Sequence, residues 1–366
     1  MSLALKRLLL GAAAMPCLLA SALAATPAPA INEAGIQEVV SAVMREQSIP
    51  GMAVGVLHEG KLIYAKGFGK ANLEWNLPVT PDTVFMIGSI SKPMLSVGIN
   101  LLAERGKLGL DDPVSRHIPG TPASWQGITL RHLLNHTSGI RRESPAFDGD
   151  KARPDIDLIS ATFAAPLDFP TGSKSQYCNV CYFTLAEVIT RVSGEPWRSF
   201  MAREVFAPAG MTVTRTTSNT DLIPQRAGSY LLKDGKQLNV PEWAALRPSG
   251  AFVSSLNDMA KWEAALYANK ILKAENLAAM ARPGLLADGK PAPFGTSGGG
   301  YGLGWQLSQF QGQRRVAHGG SLAGFRSMHA RYPDSGLAII VLTNGAGART
   351  EQIENLLAER LLAPQR

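Results

Sequence analysis

Apolar residues recur along the chain in two patterns, helical spacing and short strand-like runs. From Ile31 to about Glu46, Ile36, Val39, Val40 and Val43 fall at helical spacing, and Ser48-Ile49-Pro50-Gly51 ends the run. Met52–Leu57 is a short, nearly continuous apolar run, as a strand covered on both faces requires. Glu59-Gly60 supplies a turn, and Leu62 to Gly67 reads as the hairpin partner. Four more strand-like runs follow near the C-terminus: Tyr301–Leu307, Arg315–His318, Ser327–Tyr332 and Ala338–Thr343. Turn residues at Gln311-Gly312, Ala323-Gly324 and Asp334-Ser335-Gly336 separate them. A final helical stretch, Glu351–Leu362, places Ile353, Leu356, Leu357 and Leu361 on one face.

The middle of the chain has another character. Helical periodicity recurs at Leu95–Ala103, Ile128–Leu134, Leu185–Val192 and Met259–Leu266, among many Pro and Gly turns. The pattern predicts an α/β (α+β) fold. One antiparallel sheet is built from both chain ends and flanked by the terminal helices, with a largely helical lobe inserted between. The expected division is residues 31–88 with 291–366 as the α/β lobe and 89–290 as the mainly helical lobe, together one domain.

Composition changes this picture little. The chain has 366 residues, 45% hydrophobic and 18% charged, ordinary for a globular protein. The net charge is +7, but the basic residues are dispersed, so a basic soluble protein is favoured over a nucleic-acid binder. Residues 1–24 add more. Lys6 and Arg7 precede an apolar run from Leu8 to about Ala20, and Ser21-Ala22-Leu23-Ala24 follows. A positive start, a short apolar run and an Ala-x-Ala end form a secretory signal pattern. Removing these 24 residues, with their two basic side chains, leaves 342 residues and a net charge of +5. The run is short for a membrane span and Pro16 interrupts it. The expectation is a periplasmic or secreted protein without stable membrane insertion. Cys178 and Cys181 then remain, readable as two small buried thiols or as a short disulfide.

The candidate chemistry centres on Gly88-Ser89-Ile90-Ser91-Lys92, which opens a helix running to Arg105 with Gly106 beyond it. Residues three apart on a helix share a face, so Ser89 lies beside the Lys92 amine. A serine hydroxyl is a weak nucleophile until a base takes its proton. A buried lysine can be that base if desolvation or a cationic neighbour lowers its pKa. The bare S-x-x-K tetrapeptide is too short to establish this. Its surroundings carry more: Gly106-Lys107-Leu108-Gly109-Leu110-Asp111-Asp112-Pro113, Leu133-Leu134-Asn135-His136-Thr137-Ser138-Gly139, Phe169-Pro170-Thr171-Gly172, Tyr177-Cys178-Asn179, Tyr301-Gly302-Leu303-Gly304-Trp305 and His318-Gly319-Gly320.

In order and spacing, over about residues 31–345, these motifs resemble the serine β-lactamase and penicillin-binding protein superfamily. The likeness is to the branch holding class C β-lactamases, D-Ala-D-Ala carboxypeptidases, D-aminopeptidases and related esterases. The resemblance implies the β-lactamase/transpeptidase fold, no cofactor, and an acyl-enzyme formed on Ser89 with Lys92 as its partner. It makes Tyr177 a phenol of lowered pKa, acting as general base or passing a proton to the leaving group. Asn179 would hydrogen-bond Lys92 and the substrate amide. His318 would face the serine from a strand, and Gly320 closes that motif. The backbone N–H groups of Ser89 and Ser321 would form the oxyanion hole.

One motif departs from the family pattern. Lys-Thr-Gly or His-Thr-Gly is usual where this chain has His318-Gly319-Gly320, so the hydroxyl that grips a substrate carboxylate is missing. Arg326 is a candidate substitute, though a surface arginine is the plainer reading. The expected function is therefore an exported esterase or D-aminoacyl peptidase acting on a small ester, amide or peptide. A β-lactamase or D-Ala-D-Ala carboxypeptidase is the first alternative, and a non-catalytic penicillin-binding sensor the second. Gly295-Thr296-Ser297-Gly298-Gly299 matches a G-x-S-x-G elbow but lacks the strand–helix context that elbow needs. The six histidines show no metal-binding spacing, and His136 reads as a structural, hydrogen-bonded residue.

Overall fold

A computed structural model describes residues 31–218, 220–241, 243, 247–295 and 299–362. The signal-like segment and Ser297 lie outside the described residues. The main sheet has nine antiparallel strands. Their spatial order is Leu77–Pro78, Lys61–Asn72, Gly51–His58, Leu337–Thr343, Phe325–Tyr332, Gln313–Leu322, Gln306–Phe310, Gly299–Tyr301 and Pro293–Phe294. The N-terminal and C-terminal parts of the chain meet inside it, where Met52 pairs with Thr343 and Val56 with Ile339.

Burial explains the unbroken apolar runs of those central strands. All eight residues of Gly51–His58 and all seven of Leu337–Thr343 are buried. Met52, Val54, Val56, Ile339 and Val341 face the terminal helices Glu33–Glu46 and Thr350–Leu362, meeting Ile36, Val40, Ile353 and Leu357. Ala53, Leu57, Ile340 and Leu342 face the other way, into the larger core with Leu256 and Met259. Successive strand residues alternate faces, so each strand supplies both layers.

The helices follow the sequence periods, with added turns. Helix Ser91–Glu104 is buried at 12 of its 14 positions and packs against helix Asn179–Ser193. Helix Leu256–Tyr267 starts at the Ser255 cap, whose hydroxyl accepts the Asp258 N–H. The segment between the sheet halves also carries strands: Phe252–Ser255 lies between Val84–Met86 and Arg215–Thr216, and Tyr230–Lys233 pairs with Lys236–Asn239. The expected single strand Tyr301–Leu307 is two strands. The chain turns at 302–305, where the Gly302 N–H reaches the Trp305 carbonyl and Ser96 donates to the Leu303 carbonyl. The turn is thereby docked on the helix that carries Lys92. Among the described residues, no helix is long and apolar enough to cross a membrane.

Candidate active site

The nucleophile candidate sits on a single 3-10 turn, Gly88–Ile90, which leads directly into helix Ser91–Glu104. Ser89 thus lies just before the α-helix, not inside it. Two contacts hold the turn against the sheet: the Ile87 N–H donates to the Phe252 carbonyl, and the Ser327 hydroxyl to the Ile87 carbonyl. The strand carrying His318, Gly319 and Gly320 passes so close that two glycines are required. A Cβ at Gly320 would fall 2.0 Å from the Ile87 carbonyl oxygen, and one at Gly88, where φ is +52°, would fall 2.7 Å from the Ser321 nitrogen. That proximity sets the Ser321 backbone beside the Ser89 turn.

Lys92 lies beneath the serine and is wholly buried. Its Nζ is 3.2 Å from Ser89 Oγ and 2.9 Å from the Ser249 carbonyl oxygen. The Tyr177 ring centroid lies 4.6 Å from the same amine and that of Tyr182 5.5 Å. Burial lowers the Lys92 pKa well below that of an ordinary lysine. The Arg247 charge adds to this, and Glu143 opposes it. An amine in this state gives up its proton more readily than an ordinary lysine, which suits it to act as a base.

Tyr177 differs from expectation. Burial pushes its phenol up, and its hydrogen bond with Ser89 pulls the other way without prevailing. The group is a neutral phenol, not the phenolate-like base that a lowered pKa would make. Asn179 also differs. Its side-chain amide donates to the Glu143 carboxylate in place of the expected bond to Lys92. Glu143 accepts from Arg247 as well, whose guanidinium lies 3.9 Å from the Phe147 ring centroid and 5.1 Å from that of Trp243.

His318 is buried and neutral. Its Nε2 lies 2.9 Å from the Tyr301 hydroxyl and its Nδ1 2.7 Å from the Gly319 carbonyl oxygen. A carbonyl can only accept, so Nδ1 carries the proton and Nε2 accepts from Tyr301. Burial, then the Lys92 charge, pull its pKa down to about 3. His136, with φ of +64°, accepts the Cys178 N–H on Nδ1 and packs 4.6 Å from the Tyr177 ring and 4.4 Å from that of Tyr301. It is the hydrogen-bonded structural histidine expected. Cys178 and Cys181 form a disulfide at the start of helix Asn179–Ser193, so they are not free thiols.

A cleft of about 1030 Å³ opens over these groups. Ser89, Tyr177, Asn179, His318, Gly320 and Ser321 all line it. Arg326 does not; its guanidinium donates to the Phe325 carbonyl. The sequence reading missed Arg142, Glu143, Arg247 and Ser249, which also line the cleft. No spacing rule pointed to them, since Arg247 and Glu143 meet across 104 positions.

The Beta-lactamase family model matches residues 36–363. The chain belongs to that family. It is thereby a member of a group of serine hydrolases and shares their mixed α/β architecture. Penicillin-binding protein 4* of Bacillus subtilis is 30% identical over 307 residues, covering 78% of this chain and 66% of that protein. The chain thus spans just under two thirds of that relative's length. Esterase EstB of Burkholderia gladioli is 28% identical, covering 86% of this chain and 90% of that enzyme. The octameric penicillin-binding protein homologue from Pyrococcus abyssi superposes with a TM-score of 0.80 at 27% identity. That match covers 91% of this chain and 78% of the other.

Proposed function

We propose that this protein is an exported serine hydrolase that cleaves an ester or amide through an acyl-enzyme on Ser89. The observation that carries the reading is the buried Lys92 amine 3.2 Å from the Ser89 hydroxyl, with its pKa held low. In this mechanism Lys92 Nζ takes the Ser89 proton as Oγ attacks the substrate carbonyl carbon. The resulting oxyanion sits between the N–H groups of Ser89 and Ser321. The C–O or C–N bond then breaks. Tyr177 gives its proton to the leaving oxygen or nitrogen and recovers one from the Lys92 ammonium. Water enters by the reverse proton path and releases the acid.

Complete burial of the amine, and then the Arg247 charge, lower its pKa. Esters and D-aminoacyl amides without a free carboxylate are the preferred substrates, because Gly319 offers no hydroxyl and Arg326 points elsewhere. The high coverage of an esterase supports the same side. Export rests on the Lys6–Ala24 pattern.

The test is a fluorophosphonate label together with a panel of p-nitrophenyl ester, chromogenic cephalosporin and D-Ala-D-Ala peptide, run on wild type and Ser89→Ala. Ester turnover with labelling lost in Ser89→Ala is the expected result. Stable labelling without turnover of any substrate would point to a penicillin-binding sensor instead. Labelling of Ser89→Ala at the wild-type rate would remove the nucleophile assignment.

A further inference from the structure

We propose that the Arg247–Glu143 ion pair is a charge clamp that sets the pH at which the Ser89–Lys92 pair becomes reactive, Arg247 acting as a positioning residue. The proposal rests on Lys92 being the base for Ser89. It starts from placement. Arg247 is two residues before Ser249, whose carbonyl takes the Lys92 amine. Its side chain is 12% exposed, and Phe147 and Trp243 hold its guanidinium. A guanidinium so enclosed is screened far less than a surface charge.

The groups around Lys92 can be counted by the segment that presents them. The loop after Leu134 brings His136, Arg142 and Glu143; the segment before Ser249 brings Arg247. Tyr177 comes from the loop before helix Asn179–Ser193 and Tyr182 from its first turn, His318 from strand Gln313–Leu322 and Tyr301 from strand Gly299–Tyr301, two strands away in the sheet. Both histidines are held neutral, because burial and the nearby amine disfavour their cations. The three tyrosines are held neutral by burial. Among the described residues, only Arg142, Glu143 and Arg247 then bring charge to Lys92. Arg142 is 62% exposed and 3.8 Å from Glu143, so solvent screens it. Glu143 is shared between Arg247 and the Asn179 amide. The least screened charge acting on the amine is therefore that of Arg247, and Glu143 works against it.

The signs of the two perturbations are opposite. Removing the Arg247 cation makes the Lys92 ammonium easier to form, so activity needs a higher pH. Removing the Glu143 anion makes the ammonium harder to form, so activity extends to lower pH. A weakly screened like charge near a buried amine lowers its pKa, and taking that charge away raises it.

The experiment measures the rate of fluorophosphonate labelling against pH from 5 to 10, with thermal melting of each variant and Ser89→Ala as control. Arg247→Met should move the acidic limb up by about one pH unit. Labelling should fall roughly tenfold on the acid side of the limb and recover at pH 9 to 10. Arg247→Lys should keep the limb near its wild-type position, and Glu143→Gln should move it down. Rates lowered equally at every pH, with the limb unmoved in Arg247→Met and Glu143→Gln, would show a structural role only and overturn the proposal. If Arg247→Met does not fold, the direction of the Glu143→Gln shift decides: downward supports the clamp, unmoved or upward refutes it. Labelling that persists in Ser89→Ala would instead remove the underlying site assignment, and the clamp with it.

Discussion

Replacing Gly319 by threonine tests why this cleft should prefer substrates without a carboxylate. Gly319 pairs with Met328 across the sheet, and both line the cleft. Strand alternation directs a side chain at 319 to the face opposite His318 and Gly320. The site has room: a Cβ would meet only Met328 Cε at 3.4 Å and the Ser327 carbonyl oxygen at 3.6 Å, and φ is not in the left-handed region. Threonine suits a strand, where propensity differences span about 1 kcal/mol, so the variant should be no less stable than wild type. A hydroxyl bonded to a carboxylate is worth about 1.5–3 kcal/mol, at about 1.4 kcal/mol per tenfold roughly 10- to 150-fold; because the 319 side chain leaves the sheet toward Met328 and not toward the Ser89 turn, that range is the ceiling on the gain. The assay compares kcat/KM for a penicillin and a matched neutral ester on wild type and Gly319→Thr, with Tm recorded for both. The penicillin ratio should rise, at most to that range, while the ester stays within about threefold. An unchanged penicillin ratio at unchanged Tm would show that the missing hydroxyl does not set the preference. A wild type that already favours the penicillin by tenfold would refute the preference itself.

Two further outcomes follow from the charge states in the site. Lys92→Ala and Tyr177→Phe should each lower kcat by at least about 100-fold, the low end for acid–base groups. Their double variant should be little worse than the worse single one, since both serve one proton path with Ser89; losses that multiply would argue for separate roles. His318 should make the fold acid-sensitive. Its folded pKa of about 3 lies below the unfolded value near 6.5. The unfolded chain therefore binds the extra proton, and stability is full above about pH 6.5 and is lost as pH falls toward 3. Denaturant titrations at pH 8 and pH 5 should show wild type losing about 2 kcal/mol more than His318→Gln; equal losses would mean that the imidazole does not resist protonation.

What could be read from the sequence divides along a physical line. Periodicity is a local property, so the helix around Leu95–Ala103 and the central strands Met52–Leu57 and Ala338–Thr343 were legible from where apolar residues recur. The closeness of Ser89 and Lys92 was legible for the same reason, since a three-residue spacing on one turn leaves little freedom. The break within Tyr301–Leu307 was not, because it depends on Ser96, two hundred residues earlier in the chain, bonding the Leu303 carbonyl. The pairing of Cys178 with Cys181 was undecided, because a C-x-x-C spacing at a helix start fits either state. Charge states were hidden more deeply still. A phenol beside a lysine suggested a lowered Tyr177 pKa, yet burial of the phenol outweighs its hydrogen bond with Ser89 and the charges around it. The same lysine looked like a partner for Asn179 until Glu143 entered from a loop with no motif of its own and took the amide. Spacing can bring a nucleophile and an amine together. Whether that amine carries a proton depends on desolvation and on charges such as Arg247, which only the folded chain delivers.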